Sequence, residues 1–122
     1  MEIDAVRTYC LSKKGSSESF PFDQHTLVFK VMGKMFCLAG LEKWEKGEKF
    51  INLKCDPEKA IDLREEYQGT VSGGFHMSKK YWNTVYCDKD MSPEEICHWI
   101  DHSYEQVVAK LSRKDKESLN QL

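Results

Sequence analysis

Two proline-marked helix starts, Asp56-Pro57-Glu58 and Ser92-Pro93-Glu94-Glu95, set the strongest limits on how this chain can fold. At each, an oxygen-bearing side chain stands where it can accept from an orphan backbone N–H. A proline follows at the first helical position, where its missing N–H costs nothing, and an acid in the first turn meets the positive end of the helix dipole. In the second, Glu95 completes a capping box with Ser92. The spacing predicts a helix from Pro57 to about Tyr67, with Ala60, Ile61, Leu63 and Tyr67 as its apolar face and Gly69 at its end. A second helix is predicted from Pro93 to about Leu111, with Ile96, Trp99, Ile100, Ser103, Val107 and Leu111 as its stripe.

Extended segments fill the space before and between them. Ile3, Val6 and Cys10 recur at helical spacing over about residues 2–13, closed by Gly15. Ser16 to Asp23 reads as a loop, with Phe20-Pro21-Phe22 held extended by its proline. Thr26–Val31 and Lys34–Ala39 read as strands joined by Met32-Gly33. A two-residue turn there sets Phe29 opposite Phe36 and Leu27 opposite Leu38. Thr26, Val28, Lys30, Met35 and Cys37 then occupy the other sheet face. Leu41–Glu48 reads as a polar turn, and Lys49–Cys55 as a strand with Ile51 and Leu53 inward. Val71–Met77 and Tyr81–Cys87 read as two more strands, the first weakened by Gly73 and Gly74. Residues 112–122 mix both charges and read as a frayed helical end or a disordered tail. The order α-β-β-β-α-β-β-α describes one α+β domain over residues 1–122. Its antiparallel sheet is expected to carry its helices mainly on one face.

A chain of 122 residues can bury roughly two-thirds of its unfolded surface, so it requires neither metal nor disulfide staples. The formal charge of -2 argues against a strong non-specific grip on nucleic acid, although a local basic patch is compatible with it. Cys10, Cys37, Cys55, Cys87 and Cys97 are odd in number and scattered, and the acidic opening Met1-Glu2-Ile3-Asp4 is unlike a signal peptide. The expectation is a cytoplasmic protein with reduced thiols serving as small core fillers. No run approaches the ~20 apolar residues of a membrane span.

Chemistry-bearing patterns are sparse. His98 and His102 stand one helical turn apart, a chelating spacing, but helical geometry turns both away from the apolar stripe and no third ligand is near. Cys55 precedes a helix N-terminus, where the dipole can lower a thiol pKa, and is the one cysteine that warrants a reactivity test. Neither G-x-S-x-G, a P-loop nor G-x-G-x-x-G occurs, and no carboxylates pair informatively. The expectation is a protein with no catalytic residue, metal or cofactor.

One segment stands apart: Gly74-Phe75-His76-Met77-Ser78-Lys79-Lys80-Tyr81-Trp82-Asn83-Thr84-Val85. Its lysines fall between two expected strands, at a hairpin tip, among aromatics and hydrogen-bonding groups. Such a wing-like hairpin can stack on bases and bind phosphate. The candidate nucleic-acid contacts are His76, Lys79, Lys80, Trp82 and Asn83, with Lys30, Lys34 and Lys54 as backbone contacts. A structural account fits as well, and on the residues alone it is preferred. In it Trp82 and Phe75 fill the core, Asn83 caps the turn and the lysines keep a sheet edge soluble.

The same segment carries a resemblance to the MmcQ/YjbR family of small bacterial proteins. So do Phe20-Pro21-Phe22, Leu27-Val28-Phe29-Lys30-Val31, Gly33-Lys34-Met35-Phe36, Asn52-Leu53-Lys54-Cys55-Asp56-Pro57-Glu58, Ala60, Leu63-Arg64 and His102-Ser103-Tyr104. Phe75, Ser78 and Tyr81 stand where Tyr, Asn and His are common, which weakens any role needing an imidazole at position 81. The resemblance implies an α+β fold similar to type III secretion chaperones, and DNA binding through a "double-wing" motif. It implies no catalytic residues.

Two other classes stay open. A protein- or peptide-binding adaptor would expose an apolar patch around Val28, Met35 and Cys37. A small-ligand protein or enzyme would place a polar pocket near His76, Trp82 and Arg64.

Overall fold

The computed structural model describes residues 1–122. Its elements are α1 (Ile3–Leu11), β1 (Ser16–Ser19), β2 (Thr26–Val31), β3 (Lys34–Gly40), α2 (Leu41–Glu45), β4 (Phe50–Lys54), α3 (Pro57–Glu66), β5 (Val71–Gly73), β6 (Trp82–Tyr86), α4 (Pro93–Ala109) and α5 (Arg113–Asn120). The expected elements occur in the expected order, and β1, α2 and α5 are additional to them. Both proline-marked starts are realised as capped helices. Asp56 accepts from the Lys59 N–H at 3.2 Å, and Ser92 accepts from the Glu95 N–H at 3.1 Å.

The strands form one antiparallel sheet in the order β1-β2-β3-β4-β6-β5. The large core lies between this sheet and the helices. Phe29, Phe36, Ile51, Ile96 and Ile100 are fully enclosed in it, and Leu53 nearly so. Each such side chain contributes about 1.5–3 kcal/mol through the apolar surface it removes from water. On the other sheet face a small cluster of Val28, Leu38 and Trp82 is flanked by Met35, Met77 and Tyr81.

A β-bulge corrects the expected hairpin register. Met32 and Gly33 both take positive φ, 49° and 78°, as a two-residue hairpin turn of this hand requires. Lys30 pairs with Met35 as that turn dictates, but Phe29 then pairs with Cys37 and Val28 with Leu38. The extra residue is Phe36. Its ring still reaches Phe29, with centroids 6.5 Å apart, so the aromatic contact survives while the one-to-one pairing does not. Beyond the bulge the faces exchange: Cys37 enters the helix-side core and Leu38 turns to the other side.

Three segments read as irregular become regular elements, Leu41–Glu45 as the short α2, and tertiary contacts account for the other two. Ser16–Ser19 has no apolar alternation, yet it pairs along β2 from Ser16↔Val31 to Ser19↔Val28. Arg7 of α1 clasps Glu18 of this edge strand, with Nε donating to Oε2 at 2.7 Å. The C-terminal segment is likewise a helix, α5. Ser112 caps it, and Leu119 is buried where the Cδ1 would stand 2.6 Å from a Cβ on Gly15. At position 15 only glycine combines that closeness with a φ of 69°. Ile61, expected on the apolar face of α3, is 54% exposed, since Ala60 and Leu63 alone supply that helix's buried contacts.

Candidate functional site at the hairpin end of the sheet

Antiparallel pairing brings several chain turns to one end of the sheet. There β2 turns into β3, β4 finishes, and β5 connects to β6 through residues 74–81. Lys34 opens β3, Lys54 closes β4, and Lys54 pairs in register with Trp82. The C-terminal turn of α4 overhangs this end and adds Val107 and Lys110. Together Lys34, Met35, Lys54, Trp82, Val107 and Lys110 line a recess of about 310 Å³.

The three lysines of that recess make no ion pair and donate to no protein acceptor. Burial holds the Lys54 ammonium below its ordinary pKa, and the nearby charge of Lys110 lowers it further. Lys80 and Lys110 each place Nζ 5.3 Å from the centroid of the Tyr81 ring, which links the β5–β6 connection to the overhanging helix. Lys30 stands beside this group on β2, opposite Met35. An array of unpaired ammonium groups over an apolar floor suits an anion, phosphate above all.

The remaining residues singled out from the sequence go elsewhere. Lys79 is solvent-exposed but turns back from the tip: its stem lies over Gly73 and its Nζ donates to the Gly74 carbonyl at 3.2 Å. Asn83 is enclosed on the helix side, where its Oδ1 accepts from Arg64 Nε at 2.8 Å and its Nδ2 donates to the Ala60 carbonyl at 3.4 Å. It neither meets solvent nor caps the turn. His76 lies on the open sheet face, with a left-handed φ of 59°, lining a different cavity. Trp82 is buried, as a core filler would be, whereas Phe75 is 53% exposed and is not one. His76 lines the open-face cavity and Trp82 the lysine recess, while Arg64 meets Trp82 only at its backbone carbonyl, so the three do not share either cavity.

Sequence reading missed Lys110. It sits one residue past α4, and only the packing of α4 across β3 and β4 carries it to the lysines of those strands. The patch expected around Val28, Met35 and Cys37 is also corrected. Val28 and Cys37 are fully buried, and the bulge puts them on opposite faces.

The histidine and cysteine expectations change in the same way. His102 does not face solvent: it is buried, and its Nε2 accepts the Asp56 N–H at 3.1 Å. That bond adds a helix-to-helix cap at the start of α3. No three His, Cys, Asp or Glu side chains are grouped to hold a metal. Burial pushes the Cys55 thiol up to about 11, with Asp56 adding to the rise. A helix dipole contributes at most about 1 kcal/mol at ordinary sites, less than one pH unit, and burial outweighs it here.

The chain matches the family model described as YjbR over residues 11–106. It is 30% identical to the uncharacterized protein YjbR of Escherichia coli K12 over the whole length of both. It is 35% identical to the uncharacterized protein YbdF of Escherichia coli O157:H7, over 80% of this chain and 77% of that one. The crystal structure of Deinococcus radiodurans protein DR2400, whose family-model domain is DUF419, superposes with a TM-score of 0.88 at 31% identity, covering 98% of this chain and 88% of that one. A Pseudomonas syringae protein shares the fold at a TM-score of 0.72 and 21% identity, over 87% of this chain and 98% of that one. No helix is long and apolar enough to cross a membrane.

Proposed function

The chain belongs to the YjbR family, and we propose that this member is a nucleic-acid-binding protein without catalytic chemistry, engaging the phosphate backbone at the hairpin end of its sheet. The observation that carries the reading is the convergence of Lys34, Lys54 and Lys110 on one recess with no carboxylate among its lining residues. In a chain of net charge -2, an uncompensated group of three ammonium ions is a local reversal of sign. Bringing them together costs free energy through desolvation and mutual repulsion, and a bound phosphate relieves both. The Met32-Gly33 turn and the 74–81 connection flank this group at the same end of the sheet, as two wings would. Lys80 extends the positive surface along the second of them. His76 and Asn83 take no part in it.

Fluorescence anisotropy with a labelled DNA duplex tests the reading. Lys34→Glu and Lys110→Glu should each weaken binding for all sequences alike. Each should also lower the slope of log affinity against log salt by about one. Equal affinity of both variants and the unaltered protein, with circular dichroism showing all three folded, would reject the proposal.

A further inference from the structure

The open face of the sheet carries a second cavity, larger and chemically different from the lysine recess. It has about 530 Å³, and among the residues around it are Phe22, Leu38, Phe50, Asn52, Phe75 and His76, with Lys43 at its edge. That volume falls within the range of small-ligand sites. Phe22 and Phe75 stand 63% and 53% exposed. Phe50 meets the Phe75 ring edge-on, 6.3 Å between centroids, and the His76 ring meets Phe75 at 4.4 Å, also edge-on. Aromatic walls of this kind gain most from a flat aromatic guest.

The floor is polar and held in place. Asn52, 8% exposed, accepts from Thr84 Oγ1 at 2.6 Å and donates through Nδ2 to the Phe75 carbonyl at 3.2 Å. Thr84 Oγ1 also accepts the Phe75 N–H at 2.8 Å, which ties the aromatic wall to the floor. The second N–H of Asn52 Nδ2 has no protein acceptor, so the cavity offers a donor at its base. Nothing acidic lines it. Lys43 supplies a cation, engaged only by an exposed contact with Glu48 at 3.6 Å, and the His76 imidazole supplies a further donor. His76 reaches this position through a left-handed backbone, φ 59°, that non-glycine residues seldom adopt.

We propose that this cavity binds a small aromatic carboxylate. Its ring lies among Phe22, Phe50 and Phe75, and its anionic and polar groups reach Lys43, His76 and the free N–H of Asn52. The proposal does not rest on nucleic-acid binding, since the two cavities share no lining residue.

Two-dimensional NMR of the full chain tests it, with 2-naphthoate as the probe and neutral 2-naphthalenemethanol as its control. Naphthoate should cause saturable shifts of the Asn52 side-chain amide and of the backbone amides of residues 75–77. The neutral control should bind more weakly. Phe22→Ala, at a site whose exposure makes it indifferent to folding, should weaken naphthoate about two- to tenfold. Lys43→Gln should weaken it by up to about fivefold. Absence of saturable shifts, equal binding of the neutral control, or indifference to Phe22→Ala would each overturn the proposal. So would ligand-free shifts of these residues that grow with protein concentration, because they would identify a second copy as the occupant.

Discussion

Arg64 Nε donates to the Oδ1 of Asn83 at 2.8 Å, joining α3 to the start of β6. The same guanidinium donates through Nη2 to the backbone carbonyls of Lys79 and Trp82. One side chain therefore fixes the far end of the 74–81 connection, and with it the position of Lys80 and Tyr81. Asn83→Ala leaves Arg64 Nε without its partner in a partly buried setting and removes the second bond to the Ala60 carbonyl, which keeps its place in the α3 ladder. The expected loss is about 1–3 kcal/mol, read as a lower urea midpoint.

Arg64→Ala should act mainly on the connection itself. Amide hydrogen exchange of residues 77–82 should accelerate relative to that of β4, whose ladder does not depend on the guanidinium. Uniform acceleration across β4 and the connection would assign Arg64 to global stability instead.

His102 makes the stability of the fold depend on pH near neutrality. Burial is the largest cause holding its pKa below the ordinary 6.5, and the charge of Lys59 adds to it. The folded state thus binds a proton less readily than the unfolded state, which favours unfolding on acidification. Its contribution is full above pH 6.5 and is lost as pH falls toward the depressed folded value. The melting temperature should therefore fall between about pH 7.5 and about pH 5.5, and His102→Gln should flatten that slope. Glu18 and Asp23, whose folded pKa values are also lowered, act at more acidic pH.

Thiol labelling should separate one cysteine from the rest. Cys10, Cys37, Cys55 and Cys87 are buried, while Cys97 is partly exposed on α4. In native protein a disulfide reagent should modify Cys97 slowly and leave Cys55 untouched, as its raised pKa and burial require. All five cysteines should react in urea. Rapid native labelling at Cys55 would contradict this account.

The C-terminal helix should prove part of the folded unit. Leu119→Ala removes a buried side chain seated beside Gly15 and Val31, at an expected cost of about 2–5 kcal/mol. Gly15→Ala should be harmful for a separate reason: its Cβ meets Leu119 and its backbone is left-handed. Thermal unfolding measures both.

Features that depend on neighbouring residues are legible in the chain alone. The capped starts at Asp56 and Ser92 appear, though Ser92 caps without the reciprocal Glu95 side-chain bond of a capping box, because an N-cap and a proline act within one turn of chain. The inward alternation of Ile51 and Leu53, the two-residue turn at Met32-Gly33 and the stripe of α4 follow from local periodicity in the same way. The remaining features arise from packing. Ser16–Ser19 becomes a strand because β2 offers it hydrogen bonds, and residues 113–120 become a helix because Gly15 leaves room for Leu119. The bulge at Phe36 has no local signature, yet it decides which side Cys37 and Leu38 take. Lys34, Lys54 and Lys110 are far apart in the chain and become one site only through sheet order and the crossing of α4. Local propensity operates within a turn or a hairpin, whereas a site built by packing depends on contacts between residues that sequence spacing does not connect.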